Sequence, residues 1–160
     1  MQVKVLVPLD GSPGSQRAVD YCARVFAPHP GAEIRMLHIL AGLPPAMWDD
    51  GHILNERERE NRQRLIENWK GEQEQTWTGI FAAARQKLSD AGMVAEQVST
   101  LFVTKYFDVA DDILKEAAKG AYDTIVLGRR GLTGAKKVLL GSISRKVLEN
   151  ASNAAIIIVD

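Results

Sequence analysis

The sequence predicts an α/β protein built on a parallel sheet. Three observations carry this: short apolar runs recur along the chain, helix-patterned segments separate them, and the runs are nearly continuous rather than alternating in polarity. Strands covered by helices on both faces read as unbroken apolar runs, whereas half-exposed strands alternate. The 160 residues suit one domain over 1–160, long enough to bury most of the apolar surface the unfolded chain exposes.

Residues 3–9 form a β-branched run that the segment Asp10-Gly-Ser-Pro-Gly14 breaks. Ser12 can cap a helix whose first position is Pro13, with Ala18, Tyr21, Cys22 and Val25 at helical spacing. Residues 34–40 read as a second strand after the Pro28-to-Gly31 break. A Gly-Leu-Pro-Pro turn opens residues 41–54, and a long helix-favouring stretch follows over 55–88, so that 41–80 reads as a helical linker segment. Its first half is dominated by mixed charge. Its second half carries Trp77, Ile80, Phe81, Ala84 and Leu88 as a buried stripe, with Gly71 and Gly79 as points where it could bend or divide. Residues 98–103 make a third strand, and Asp108 caps a helix that Gly120 closes. Residues 124–127 make a fourth, 142–150 a helix, and 155–159 the last strand. Five strands alternating with helices imply right-handed crossovers in a parallel sheet.

Composition narrows the function. Twenty acidic and twenty basic side chains cancel, so no global field attracts nucleic acid or an anionic membrane. No apolar stretch approaches the length of a membrane span, and the N-terminal run lacks a secretory pattern, so the expectation is a cytoplasmic chain. Cys22 is the only cysteine, which excludes an internal disulfide and a thiolate metal cluster. His38 lies in an apolar strand and reads as a core histidine. His29 reads as exposed, and His52 has no metal-ligand neighbours at the required spacing. Glu56, Glu58 and Glu60 sit among arginines and read as a solvated helix face.

The informative stretch is GRRGLTGAKKVLLGSIS, residues 128–144, with four glycines and four cationic side chains between a strand and a helix. It is neither a Walker A loop nor a G-x-G-x-x-G fingerprint. Glycines let backbone N–H groups approach a phosphate, and a helix N-terminus presents unpaired N–H donors with a partial positive charge. Ser142 adds a hydroxyl, and Arg129, Arg130, Lys136 or Lys137 could neutralise phosphate charge. Equally, the glycines could only shape turns and Ser142 only cap a helix. Spacing alone leaves both readings open.

The pattern Gly128-x2-Gly131-x9-Gly141-Ser142 resembles the G-2x-G-9x-G-[S/T] motif of the ATP-binding branch of the universal stress proteins. VLVPLDGS, MLHIL, YDTIVLGRRG and the apolar last strand resemble that family too, so the likeness covers nearly the whole chain. It implies a doubly wound five-stranded parallel sheet with helices on both faces, Rossmann-like and of the adenine-nucleotide α-hydrolase type. It implies ATP, or AMP, at the carboxyl edge of the sheet, with magnesium bridging phosphate oxygens. Asp10 would sit by the adenosine, Pro8 and the backbone near Ile39 would line the adenine pocket, and Gly128, Arg129, Gly131, Gly141, Ser142 and Ile143 would surround the phosphates. The chain departs from the family at Arg129-Arg130, at Asn153-Ala154 and in the charged segment 48–77.

The resemblance further implies a homodimer joined through strand 155–159, acting as a nucleotide-responsive stress factor with a protein partner. Two alternatives stand beside it: a nucleotide-independent dimeric scaffold, and a slow ATP hydrolase. No nucleophile elbow, and no base placed for rapid turnover, is visible in the sequence.

Overall fold

The computed structural model describes residues 2–40, 42–48, 51–131 and 140–160, and its elements follow the β/α alternation. They are β1 (Val3–Pro8), α1 (Pro13–Val25), β2 (Ala32–Leu40), α2 (Glu56–Asp90), β3 (Val98–Thr104), α3 (Val109–Gly120), β4 (Thr124–Gly128), α4 (Ser142–Asn150) and β5 (Ala155–Val159). Single 3-10 turns at Pro45–Met47 and Ala95–Gln97 flank α2. The five strands form one parallel sheet in the order β3-β2-β1-β4-β5.

Alternation along each strand divides the core in two. On one face Val5, Val7, Ile34, Met36 and Val126 pack against Ala18, Val19 and Cys22 of α1 and Phe81, Ala84 and Leu88 of α2. On the other, Leu6, Leu37, Ile39, Ile125 and Leu127 pack against Ala110, Ile113 and Ala117 of α3 and Val147 of α4. Helices thus cover both faces. The chain winds outward from β1 to β3, then returns to place β4 on the other side of β1, so successive connections diverge between β1 and β4. In open α/β sheets that divergence leaves a crevice at the carboxyl ends of the strands.

The helix starts follow the sequence closely. Ser12 Oγ accepts from the Ser15 N–H at 3.1 Å, with Pro13 at the first helical position. Asn55 and Glu58 form a reciprocal capping box at the head of α2. Asp108 Oδ1 accepts from the Asp111 N–H at 3.0 Å.

Two expectations are corrected. The helix α2 runs 35 residues without a break through Gly71 and Gly79, so neither glycine divides it. In α3 the left-handed residue that ends the helix is Ala121, at φ 49°, not Gly120. Gly120 serves another purpose: a Cβ there would lie 2.1 Å from Cε2 of the Tyr122 ring. Before β5, at the Asn153-Ala154 step, Asn153 turns the chain at φ 63°. Asparagine tolerates that region better than most residues.

Candidate nucleotide site

The chain reaches the crevice from three directions: the loop after β1, the loop after β4, and the first turn of α4. Leu9 N–H donates to the Leu37 carbonyl at 2.7 Å, extending the β1–β2 pairing one step beyond Pro8. Asp10 follows immediately. Its Oδ1 accepts the Ser12 N–H at 2.9 Å, and Gly11 takes φ 76° to make the turn. The turn uses Oδ1, and among the described residues Oδ2 takes no hydrogen bond.

The glycines are required by close approach. A Cβ on Gly128 would stand 2.4 to 2.8 Å from backbone atoms of Gly14, and one on Gly14 would stand 2.1 Å from the Arg130 carbonyl oxygen. Real side chains never sit that close to backbone, so only glycine pairs allow α1 to start against the end of β4. A Cβ on Gly131 would lie 2.7 Å from Asp10 Oδ2, which places the loop after β4 directly over that carboxylate. Asp10 and Gly131 are 121 residues apart by numbering, and the fold brings them together.

The third wall is α4. Gly141 N–H donates to the Arg129 carbonyl at 2.9 Å, and Ser144 Oγ donates to the Gly128 carbonyl at 2.8 Å. Gly141 is the residue that caps α4; Ser142 begins the helix and is exposed, so its hydroxyl is not the cap. The first intrahelical bond is from Arg145 N–H to the Gly141 carbonyl at 2.8 Å. The N–H groups of Ser142, Ile143 and Ser144 therefore have no acceptor within the helix, and they carry the positive end of its dipole. A short tie steadies this helix from outside: Lys146 Nζ donates to Asp108 and, at 2.7 Å, to Asp111 of α3. The Lys146 bond, then the Asp111 N–H, hold the Asp108 carboxyl down at about 2.

Of the remaining expected residues, Pro8 closes β1 beside Leu37, and Ile39 is buried in β2 on the α3 side, paired with Val103. Arg129 forms an ion pair with Asp160 at 2.5 Å, and its N–H donates to the Val159 carbonyl, so it clamps the end of β5. Lys136 and Lys137, the other candidate phosphate cations, lie outside the described residues. Among the described residues no three histidine, cysteine or acidic side chains gather at metal-binding geometry.

Sequence reading missed Gly14 and Ser144. Gly14 sits in a stretch that any turn would explain, and nothing local reports its approach to β4, which is distant in the chain. It also missed what His38 does. The ring donates from Nδ1 to the Leu9 carbonyl at 2.6 Å and stacks on Trp77 of α2, centroids 3.5 Å apart. Burial pushes the His38 pKa down, against the opposing pull of the Leu9 carbonyl and the Asp10 charge. Trp77 and Ile80 in turn lie 3.4 Å from where a Gly11 Cβ would be. The loop carrying Asp10 is thus packed from below by His38 and from the side by α2. Cys22 is buried in the core, its thiol pushed up to about 12 by desolvation, and is chemically inert there.

A parallel sheet with a glycine-lined crevice at its switch point is the architecture of nucleotide-binding α/β proteins. The family model described as the universal stress protein family matches residues 1–158, and the chain belongs to that family. It is 27% identical to the universal stress protein YxiE of Bacillus subtilis, over 97% of each chain. The solved structure of MJ0577 superposes with a TM-score of 0.73 at 22% identity, covering 99% of this chain and 96% of that one. MJ0577 is a universal stress protein of Methanocaldococcus jannaschii. A universal stress protein from Archaeoglobus fulgidus solved in complex with dAMP superposes at 0.58 and 17% identity, covering 100% and 98%.

Proposed function

We propose that this chain binds an adenine nucleotide, ATP with magnesium, in the crevice between β1 and β4, and that binding changes how a cytoplasmic homodimer engages its partners. The observation that supports this most directly is the mutual approach of Gly14, Gly128, Gly131 and Gly141 around the free N–H groups of α4. In this reading the β- and γ-phosphates lie on the N–H groups of Ser142, Ile143 and Ser144, with the Ser142 hydroxyl as a further donor. Asp10 Oδ2 accepts from the ribose, and Pro8 and the backbone near Ile39 flank the base. Arg129 reaches phosphate only by leaving Asp160.

Magnesium fits as a phosphate-held ion. Among the described residues the crevice offers the Asp10 carboxylate, and magnesium commonly takes one or two carboxylates with phosphate oxygens and water completing its octahedron. When bound, the ion would supply charge neutralisation to the phosphates.

Thermal unfolding with and without millimolar Mg-ATP tests the reading, on the wild type and on Gly141→Val. Gly141 suits the purpose because a Cβ there makes only ordinary contacts, the nearest at 3.4 Å to the Arg129 carbonyl oxygen, and far-ultraviolet circular dichroism checks that the variant is folded. A ligand at a hundred times its dissociation constant raises stability by about 2.7 kcal/mol. A shift in the wild type that Gly141→Val loses is the expected result. No shift in either protein, with no nucleotide carried through purification, would favour the scaffold reading, in which the exposed charged half of α2 meets a partner directly.

A further inference from the structure

The alternation that builds the α3-side core fails at the opposite edge of the sheet. On that face Leu6, Leu37 and Leu101 pack beneath α3. Two residues earlier on each strand, the same face carries Lys4, Arg35 and Ser99. With Glu33, Lys119 from the last turn of α3, and Tyr122 beyond it, these side chains line a cleft of about 310 Å3. The cleft lies at the amino ends of the strands, and the glycine crevice at their carboxyl ends.

Its lining is cationic, with the Glu116 and Asp123 carboxylates beside it. Three cations, Lys4, Arg35 and Lys119, line it against one carboxylate, Glu33. Among the described residues none of the three takes part in an ion pair. Glu33 instead accepts from Gln2 Nε2 at 2.5 Å, and the neighbouring Asp123 carboxylate accepts from the Lys4 backbone N–H at 2.8 Å. Arg35 is held in place: its Nε donates to Ser99 Oγ at 2.9 Å. Burial raises the Tyr122 phenol, which therefore stays protonated and able to donate. A chain of zero net charge has gathered three unpaired cations and two hydroxyls around one recess. Such a departure from core patterning is expected where a site has displaced packing.

We propose that this cleft is a second ligand site, separate from the glycine crevice, for a compact organic phosphate. The phosphoryl group takes the Arg35 guanidinium in a charge-assisted contact, with the Lys4 and Lys119 ammonium groups closing on its other oxygens. A hydroxyl of the ligand donates to Glu33. The volume is at the small end for ligand pockets, which run from about 300 to 1,000 Å3, and so selects a ligand of a few carbons.

Glycerol 3-phosphate is the probe, titrated into 15N-labelled protein while amide shifts are followed. Saturable shifts at Glu33, Ser99, Gly120 and Tyr122 are expected, and Arg35→Met should weaken them by about tenfold, the scale of one lost charge-assisted contact. Lys119→Glu, at an exposed residue of the last turn of α3, should weaken them as well and guards against misfolding of the first variant. Shifts confined to residues 128–131 and 140–144 would overturn the proposal, because the phosphate would then be in the nucleotide crevice. Absence of saturable shifts, or cleft shifts that both folded variants preserve, would overturn it too.

Discussion

His38 shows how one side chain can serve packing and the site together. Its Nδ1 proton goes to the Leu9 carbonyl and its face to Trp77, so the residue before Asp10 is held from beneath. Because burial lowers its pKa from 6.5, the unfolded chain takes up a proton before the folded one does as pH falls. Stability from this residue is fully present above about pH 6.5 and is lost as pH drops below it. The unfolding midpoint should therefore fall between about pH 7.5 and pH 5, and His38→Asn, which keeps a donor near Nδ1, should flatten that part of the profile. An unchanged slope in His38→Asn would assign the pH response to other groups. The glycines work differently at this scale: a Cβ on Gly14 or Gly128 would clash with backbone, one on Gly131 would press on the Asp10 carboxylate, and one on Gly141 would make ordinary contacts with the 129–131 backbone.

At the scale of elements, α2 is the unusual one. Its 35 residues span about 52 Å at 1.5 Å per residue, far longer than the strands it crosses. Trp77 packs beside the loop just past β1, so the turns before it stand beyond the carboxyl edge of the sheet, on the side of the glycine crevice. Only Phe81, Ala84 and Leu88 are buried, all in the lower half. The upper half is supported by its capping box and by Arg62, whose Nη2 donates to the Met47 carbonyl at 3.2 Å. The two halves should respond unequally to truncation. Leu88→Ala removes a fully buried side chain and should cost about 2–5 kcal/mol in denaturant unfolding. Leu65→Ala, at a residue 55% exposed, should stay within about 0.5 kcal/mol. Equal losses would mean that the upper half is packed in solution, against a partner or a second copy.

At the scale of the molecule, the order β3-β2-β1-β4-β5 decides what lies in the crevice and what lies at the rim. It leaves β5 as an edge strand, with Ile156, Ile157, Ile158 and Val159 half-buried in the single chain. An apolar edge invites pairing, and a second β5 across a two-fold axis would satisfy it. Ile157→Asp should then convert a dimer to a monomer in sedimentation velocity without loss of the far-ultraviolet circular dichroism. A dimer that persists in the folded variant would exclude this interface. Among the described residues no helix is long and apolar enough to cross a membrane.

Local signals were legible wherever a few neighbouring residues settle the outcome. Ser12-Pro13 and Asp108 each place a helix start, because a cap satisfies N–H groups within its own first turn; the capping box of Asn55 and Glu58 was a signal of the same kind that went unread. The apolar runs place five strands, and the glycine spacing marks the loop that holds Gly128, Gly131 and Gly141. What residues near in sequence cannot report is which distant backbone comes close. That Gly14 abuts Gly128, that Gly131 covers Asp10, that His38 stacks on Trp77 and that Lys4, Arg35 and Lys119 share a recess all depend on strand order and register. Propensity and capping are properties of a single turn, so the sequence alone determined the elements and the character of the loop. Close approach between elements arises only when both faces of the sheet are packed at once, and that the tertiary structure decided.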